Sequence, residues 1–319
     1  MRFTVIQTEE LDDSAASWLS ERCELVRAGP DDPRFESLIR RAQGLVVRTY
    51  TRVDEAMLEK APMLRGVARA GVGLERIDVD ACERRGVRVV HTPEANTQAV
   101  AEYVFALLFD ALRPRAFLEK PLEERDWRQL RSDLRARRQL SDCTLGIVGM
   151  GKIGRRVAEI ARAIRMRVIY HDLQEIPAAL RAGAEPVSMD ELLTRSDVIS
   201  LHVDARPGNR NLINSAAFSR MRSDVVLVNT CRGFVIEPYA CAEFFISHPG
   251  ATALLDVHEP EPFDGRYPLL EIGNVHLAPH IAAATSSANR AMSWVVRDLW
   301  RVLIGEVPEY VWSPAARVG

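Results

Sequence analysis

Short apolar runs, mostly of β-branched residues, alternate along this chain with longer stretches in which apolar positions recur at helical spacing. Each of the first five runs is followed by a polar turn or a helical stretch; they are Phe3–Ile6, Glu24–Val26, Gly44–Val47, Gly66–Ala68 and Val87–Val90. This alternation is typical of parallel sheets that are covered by helices on both faces. The first third of the chain therefore predicts an α/β domain.

The same alternation begins again after residue 142. Strands are predicted at Leu145–Val148, Val168–Tyr170, Val198–Val203, Val225–Val228, Ala253–Leu255 and Val275–Leu277. Between the two sets lie an apolar helix, roughly from Gln98 to Leu112, and a mixed-charge stretch from Arg113 to Asp142, which we interpret as the crossover. The pattern predicts two doubly wound parallel-sheet (Rossmann-like) domains with a cleft between them.

Three glycines have the spacing G-x-G-x-x-G between the strand Leu145–Val148 and a helix with one apolar face. In such a motif Gly149 permits a tight turn, Gly151 lets a pyrophosphate approach the backbone, and Gly154 lets helix and strand pack closely. Asp172 follows the next strand at the distance where an acid accepts hydrogen bonds from the ribose of NAD, and it would repel the extra phosphate of NADP. A glycine triplet alone also fits an ordinary turn, but strand, triplet, helix, strand and acid together predict NAD binding.

Polar residues follow the later strands. They are His202, the segment Asn229-Thr230-Cys231-Arg232-Gly233, Asp256, and Pro279-His280. Because ligands bind outside the carboxyl ends of the strands in open parallel sheets, we expect these side chains to converge near the nicotinamide.

Three of these residue types fit the oxidation of a 2-hydroxy acid. Arg232 suits a carboxylate clamp, because its planar guanidinium binds a carboxylate with two hydrogen bonds. His280 suits proton exchange, because an imidazole titrates near neutrality. Glu261 is the candidate carboxylate that stabilises the charged imidazole. Taken singly, each residue is more often part of a surface salt bridge; their positions at or just beyond strand ends after a dinucleotide motif favour a catalytic role.

Composition excludes several function classes. The length of 319 residues predicts about two domains, and the net charge of −2 gives no positive field for nucleic acid or anionic membrane. The stretch 113–142 contains Arg128, Arg131, Arg135 and Arg137, but acids are interleaved with them, so a solvated face is the better interpretation. Five dispersed cysteines without a C-x-x-C pair predict reduced thiols, no metal site and a cytoplasmic protein. No signal core and no apolar run long enough to span a membrane is found.

Motifs in the same order along nearly the whole chain resemble those of the D-isomer-specific 2-hydroxyacid dehydrogenase family. They are Ala70-Gly71-Val72-Gly73, Asn96-Thr97 with Val100-Ala101-Glu102, NTCRG, LDVHEPEP and PH. The resemblance implies catalytic Arg232, Glu261 and His280, with Glu261 preferred over Glu259 as the acid. It also implies that Asp256 holds the nicotinamide carboxamide. The amides around Val72 and Gly73 would share the substrate carboxylate with Arg232.

The resemblance further implies a discontinuous, flavodoxin-like substrate-binding domain made of residues 1–98 and 283–319, with an NAD-binding Rossmann domain at 99–282. A helix over Ser286–Ile304 would return the chain to the first domain, and hinge closure would exclude water. The candidate cofactor-binding residues are Gly149, Gly151, Lys152, Ile153, Gly154, Asp172, His202, Thr230, Cys231 and Asp256. The candidate substrate-binding residues are Arg48, Arg69, Gly71, Val72, Gly73 and Arg232.

Within the family, the segments VVRTYTRV and VARAGVGLERIDVDAC are most similar to D-3-phosphoglycerate dehydrogenases. Arg48 and Arg69 would then meet a distal phosphate of the substrate, although either could form a structural salt bridge. No regulatory domain is expected after Gly319. A homodimer is expected, because the helix from Val100 to Leu112 is more apolar than one domain requires.

The chain also departs from the family pattern. Asp204 and Arg206 replace a proline and a threonine after His202, which puts the contacts to adenosine in doubt, and Ala282 and Ala283 replace a glycine pair. Two other functions stay open: a glyoxylate or hydroxypyruvate reductase, and a dinucleotide-sensing scaffold similar to the C-terminal-binding-protein corepressors.

Overall fold

The computed structural model describes residues 2–136 and 138–313. The chain forms two compact units, one made of Met1–Asn96 and Ala284–Gly319 and the other of Thr97–Ala283. The sequence prediction placed the two divisions at 98/99 and 282/283. Residues 314–319 of the predicted substrate-binding domain and Arg137 of the charged stretch lie outside the described residues.

The described residues form twelve β-strands. They are β1 (Thr4–Gln7), β2 (Glu24–Arg27), β3 (Gly44–Val47), β4 (Gly66–Arg69), β5 (Arg88–His91), β6 (Thr144–Val148), β7 (Arg167–His171), β8 (Glu185–Pro186), β9 (Val198–Leu201), β10 (Val226–Asn229), β11 (Thr252–Leu255) and β12 (Val275–Leu277).

The α-helices of the same residues are α1 (Asp13–Ser20), α2 (Phe35–Ile39), α3 (Glu55–Glu59), α4 (Val79–Arg84), α5 (Thr97–Leu112), α6 (Glu124–Asp133), α7 (Lys152–Ala163), α8 (Met189–Arg195), α9 (Ser215–Phe218), α10 (Pro238–Ser247), α11 (Ser286–Ser293) and α12 (Val296–Ile304).

The first unit contains a five-stranded parallel sheet in the order β2-β1-β3-β4-β5. Successive residues of its strands face opposite sides, so Val5 packs in a cluster with α1 and α12, whereas Ile6 packs in a cluster with α2, α3 and α4. Helices therefore cover both faces of this sheet.

The second unit contains a seven-stranded parallel sheet in the order β12-β11-β10-β9-β6-β7-β8. Ile147 packs in a cluster with α5 and α7, and Val148 packs in a cluster with α8, α9 and α10. The prediction of two doubly wound α/β domains is confirmed.

Two elements differ from the sequence prediction. The two-residue edge strand β8 was not predicted, because Glu185–Pro186 has no apolar pattern. The helix predicted over Ser286–Ile304 is two helices, α11 and α12, separated at Trp294–Val295. The hydroxyl of Ser293 donates to the carbonyl of Asn289 at 2.8 Å, which is a contact that competes with regular helical bonding and bends helices.

The mixed-charge stretch 113–142 lies within the second unit and is not the crossover between the units, which falls before α5. Within it, α6 buries none of its residues, and Arg128 pairs with Glu124 of the same helix. Among the described residues, no helix is long and apolar enough to cross a membrane, and no cluster of three or more histidine, cysteine or acidic residues could hold a metal ion. The five cysteines are unpaired and buried.

Candidate functional site

The glycine motif lies at the carboxyl end of β6, where steric contacts explain two of its three glycines. Gly149 has a φ of +93°, and a Cβ there would lie 2.6 Å from the carbonyl oxygen of His202. A Cβ on Gly154 would lie 2.1 Å from the carbonyl oxygen of Gly149. Gly149 is therefore required for the segment after β9 to pass closely, and Gly154 for α7 to pack tightly against the turn at Gly149.

No steric contact among the described residues requires a glycine at position 151. A Cβ at this position would have no atom within 4 Å among the described residues. Gly151 is also the N-cap of α7, and no side chain caps the helix, which begins with Lys152 and Ile153. The space beside Gly151 is therefore open at the uncapped start of α7, as a pyrophosphate requires. This part of the site fits a dinucleotide.

The carboxylate of Asp172 lies beside the same turn. Its two oxygens accept hydrogen bonds from the amides of Met150, at 2.6 Å, and Gln174, at 2.9 Å. Each carboxylate oxygen can accept a further hydrogen bond, so the group retains capacity for ribose hydroxyls. Among the residues that depart from the family pattern, Arg206 donates to Asp204 from Nη2 at 2.7 Å, so these two side chains form a local ion pair.

Two predicted cofactor-binding residues contain buried polar atoms without a partner in the described part of the chain. They are Nδ1 of His202 and Oγ1 of Thr230. The other ring nitrogen of His202 lies 2.8 Å from the hydroxyl of Ser200. Burial lowers the pKa of His202 to about 3, so this imidazole is neutral at physiological pH. Unpartnered polar atoms of this kind fit a site that receives a polar ligand.

Asn229 shapes the turn that carries Arg232. Its side-chain oxygen accepts hydrogen bonds from the amide of Cys231, at 3.0 Å, and from the Cys231 thiol, at 3.1 Å, while its amide donates to the carbonyl of Arg232 at 2.9 Å. Burial raises the pKa of the Cys231 thiol to about 11, so this residue is not a nucleophile at neutral pH. Sequence reasoning did not assign a role to Asn229, although its place at the end of β10 was visible.

The structure places Glu261 next to His280. Oε2 of Glu261 lies 2.8 Å from Nδ1 of His280, whereas the other acid of the motif, Glu259, pairs with Arg210 at 2.7 Å. Because Nδ1 of His280 is engaged, Nε2 is the ring nitrogen that can exchange a proton with a substrate. The side chain of His280 is 49% exposed, so it is accessible.

The surroundings shift the pKa values of His280 and Glu261 in opposite directions. The hydrogen bond to Glu261 raises the pKa of His280, with burial and the charge of Arg232 opposing it. Burial alone would raise the pKa of Glu261, but the bonds to His280 and to the amide of His258 outweigh it and leave that pKa lowered. The pair therefore favours a carboxylate beside an imidazolium.

Two buried side chains fix the segments that carry the pair. Asp256 accepts hydrogen bonds from the amides of Ile281 and Ala282, each at 2.8 Å, directly after His280, whose φ is +57°. His258 donates its amide to Oε1 of Glu261 at 2.7 Å, and its Nε2 lies 2.8 Å from the carbonyl oxygen of Ala278. Burial raises the pKa of Asp256, although the two amides oppose this. The holding role of His258 was missed from the sequence, because hydrogen bonds to the backbone leave no sequence signal.

The remaining predicted substrate-binding residues lie in the first unit, at the carboxyl edge of its sheet. Gly71 has a φ of +153°, and its carbonyl accepts from the amide of Thr92 at 3.1 Å. The carbonyl of Val72 lies 3.1 Å from Nδ1 of His91. Within the described residues, the amides of Val72 and Gly73 donate to no backbone carbonyl. Their N–H groups therefore fit an anion.

The two predicted phosphate-binding arginines are engaged with their own unit. The guanidinium of Arg48 donates to Asn289 and to the carbonyl of Glu10, and Nη1 of Arg69 donates to the carbonyl of Ala70 at 2.6 Å. Both guanidinium groups therefore already make hydrogen bonds within the first unit.

The sequence matches D-isomer specific 2-hydroxyacid dehydrogenases. The sequence model of the family described as D-isomer specific 2-hydroxyacid dehydrogenase, NAD binding domain, matches residues 105–282. A D-3-phosphoglycerate dehydrogenase of Mycobacterium tuberculosis is 37% identical over 286 residues, which are 89% of this chain and 53% of that protein. A glyoxylate reductase of Aeropyrum pernix is 37% identical over 287 residues, which are 86% of this chain and 85% of that protein.

Solved structures agree with the sequence matches. The crystal structure of a D-lactate dehydrogenase from Aquifex aeolicus, complexed with NAD and lactic acid, has a TM-score of 0.80 and 27% sequence identity, and the match covers 95% of this chain and 96% of that chain. The chain spans about half the length of the mycobacterial phosphoglycerate dehydrogenases that it matches, with 53% of the Mycobacterium tuberculosis protein and 58% of the Mycobacterium leprae protein covered.

Proposed function

Because this chain belongs to the D-isomer-specific 2-hydroxyacid dehydrogenase family, we propose that it transfers a hydride between NAD and C2 of a small D-2-hydroxy acid or its 2-keto acid. The observation that carries this proposal is the 2.8 Å contact between Glu261 and His280, three residues beyond the end of β12 in the unit that also holds the glycine motif. An imidazole coupled to a carboxylate at the ligand-binding edge of such a sheet is suited to acid–base work.

Each role in the proposed reaction is assigned to a particular residue. In oxidation, Nε2 of His280 accepts the hydroxyl proton of the substrate, and Glu261 stabilises the imidazolium that results. Arg232 binds the substrate carboxylate and polarises the adjacent C2 oxygen, with the amides of Val72 and Gly73 as further donors. In reduction, the imidazolium of His280 returns the proton to that oxygen. Burial lowers the pKa of His202 to about 3, so at neutral pH this imidazole carries no proton to donate in reduction.

NAD, when bound, supplies the hydride acceptor, or the donor in reduction. The first-turn amides of α7 and the open space at Gly151 are suited to its pyrophosphate. Asp172 binds the ribose hydroxyls and disfavours the extra phosphate of NADP. Thr230 and His202 offer buried polar atoms on the nicotinamide side, and Asp256, beside the amides after His280, is assigned to the carboxamide.

Two substrate classes remain candidates. The D-3-phosphoglycerate dehydrogenases among the relatives support 3-phosphoglycerate, with Arg48 and Arg69 as the phosphate ligands. Glyoxylate or hydroxypyruvate is favoured by one observation, the bonds that Arg48 and Arg69 already make within their own unit. A small 2-keto acid would need neither arginine.

The test is a steady-state assay that follows absorbance at about 340 nm as the reduced cofactor is consumed. It compares 2-keto acids with and without a phosphate group, and it compares NADH with NADPH. We expect turnover with NADH and a clear preference for one substrate class. Tight NADH binding without turnover of any 2-keto acid would contradict the enzyme proposal and support a dinucleotide-sensing scaffold.

A homodimer in the cytoplasm is part of the same proposal. It is supported by apolar side chains that remain exposed on and after α5, namely Phe109 (44% exposed), Phe117 (86%) and Trp127 (46%). Sedimentation at micromolar concentration tests it, and a fully active monomer would contradict it.

A further inference from the structure

Four consecutive backbone amides of the first unit converge on one carboxylate, that of Glu9. The N–O distances are 3.0 Å from Arg48, 2.6 Å from Thr49, 3.0 Å from Tyr50 and 3.0 Å from Thr51. Consecutive N–H groups that face one point form a concave anion site. Segment 48–51 is therefore an anion-binding turn whose anion is supplied by the chain itself.

The turn lies where a ligand of this sheet is expected. The chain leaves β1 through α1 to β2 on one side, and β3 lies on the other side of β1. Glu9 comes two residues after β1, and segment 48–51 directly follows β3. In open α/β sheets, ligands bind outside the carboxyl ends of the strands where the strand order reverses in this way. Glu9 and its turn flank that point.

The hydrogen bonds from the amides of residues 48–51 to Glu9 hold the backbone of the turn in place. Burial alone would raise the pKa of Glu9, but the amides of residues 48–51 outweigh it and leave the pKa lowered, so the group is ionised at neutral pH. Each of the bonds is thus charge-assisted. The hydroxyl of Thr51 adds a bond to the hydroxyl of Thr8 at 2.7 Å. Without the carboxylate, four converging N–H groups would have no acceptor, and the turn would rearrange.

Arg48 is the first residue of this turn, and Glu9 fixes its amide while Asn289 and the carbonyl of Glu10 hold its guanidinium. We propose that Glu9 is a positioning residue, a tethered anion that holds segment 48–51 so that the turn presents Arg48 to the substrate. This inference rests on the part of the proposed function in which the substrate carries a phosphate and Arg48 binds that phosphate.

The test compares Glu9→Ala with Glu10→Ala, a matched control whose side chain is exposed and is not the carboxylate that the four amides bind. We expect Glu9→Ala to raise the KM of a phosphate-bearing 2-keto acid roughly 10- to 100-fold, with a smaller change in kcat and no change in the KM of NADH. Formate or acetate should refill the vacated site and lower the KM again. Neither anion should improve the wild-type protein or Glu10→Ala.

Hydrogen exchange of the amides of residues 48–51 provides a second readout that does not depend on turnover. We expect exchange to accelerate in Glu9→Ala and to slow again with formate. An unchanged substrate KM in Glu9→Ala, or a raised KM that neither carboxylate reverses, overturns the proposal. If the wild-type protein reduces only 2-keto acids without a phosphate, the proposal that the turn presents Arg48 to the substrate is overturned. If it reduces no 2-keto acid, the proposed function fails, and the exchange experiment separately decides whether Glu9 holds the turn.

Discussion

The main chains of Gly233 and His258 are in direct contact: a Cβ placed on Gly233 would lie 2.0 Å from the carbonyl carbon of His258. Gly233 directly follows Arg232. His258 in turn donates its amide to Glu261, and its ring bonds to the carbonyl two residues before His280. One residue thus touches all three segments that carry the proposed catalytic side chains. Their relative placement is fixed by backbone packing more than by bonds among the side chains themselves.

The first prediction follows from this contact. Gly233→Ala should lower the free energy of unfolding by at least about 2 kcal/mol and reduce kcat, because backbone atoms cannot yield to the added methyl group. Gly273→Ala is the control, since a Cβ there would have no atom within 4 Å among the described residues. Urea denaturation of both variants measures the difference. Equal stabilities would show that the contact relaxes at little cost.

Much of this architecture could be predicted from local sequence patterns. The apolar runs located eleven of the twelve strands, because buried parallel strands are nearly continuous in apolar residues. The glycine spacing located the turn before α7, because Gly149 and Gly154 each answer a steric requirement of that turn. Glu261 is a candidate partner of His280 from its residue type and position, and the motif resemblance adds the preference for Glu261 over Glu259.

Other features depend on contacts between distant segments and left no pattern to read. Glu9 is separated by 39 residues from Arg48, the first amide that it binds. His258 acts partly through its own amide, which any residue at that position would supply. The break between α11 and α12 lies beside a hydroxyl–carbonyl bond of Ser293, inside a stretch with helical periodicity, so the pattern predicted one continuous helix.

The second prediction separates cofactor binding from folding. Gly151→Ala should leave the free energy of unfolding nearly unchanged, because the added methyl group meets no described atom of the protein. It should weaken NADH binding about tenfold or more, because a side chain there prevents close approach of a pyrophosphate. Fluorescence titration with NADH and urea denaturation give the two values. Unchanged NADH affinity would remove Gly151 from the cofactor site.

The third prediction concerns the acid–base group. His280→Ala should reduce kcat by about 10²- to 10⁴-fold and leave NADH affinity nearly unchanged, because the imidazole acts on the substrate. His276→Ala is the matched control, an exposed histidine on β12 four residues earlier. Near wild-type turnover in His280→Ala would mean that another group exchanges the proton, and His258 would be tested next.

The last prediction uses the direction of a pH shift to test the pairing of Glu261 with His280. The hydrogen bond to the Glu261 carboxylate raises the pKa of His280, so Glu261→Gln should let that pKa fall. Reduction of the 2-keto acid needs the imidazolium, so its loss of activity with rising pH should begin at a lower pH. Oxidation needs the neutral imidazole, so its loss of activity with falling pH should also move to a lower pH.

Glu259→Gln is the control, because Glu259 pairs with Arg210 and not with His280. Profiles of kcat/KM against pH in both directions measure the two limbs. Because a lower pKa moves both limbs the same way, limbs that stay in place, or that move in opposite directions, would show that Glu261 does not set the protonation of His280.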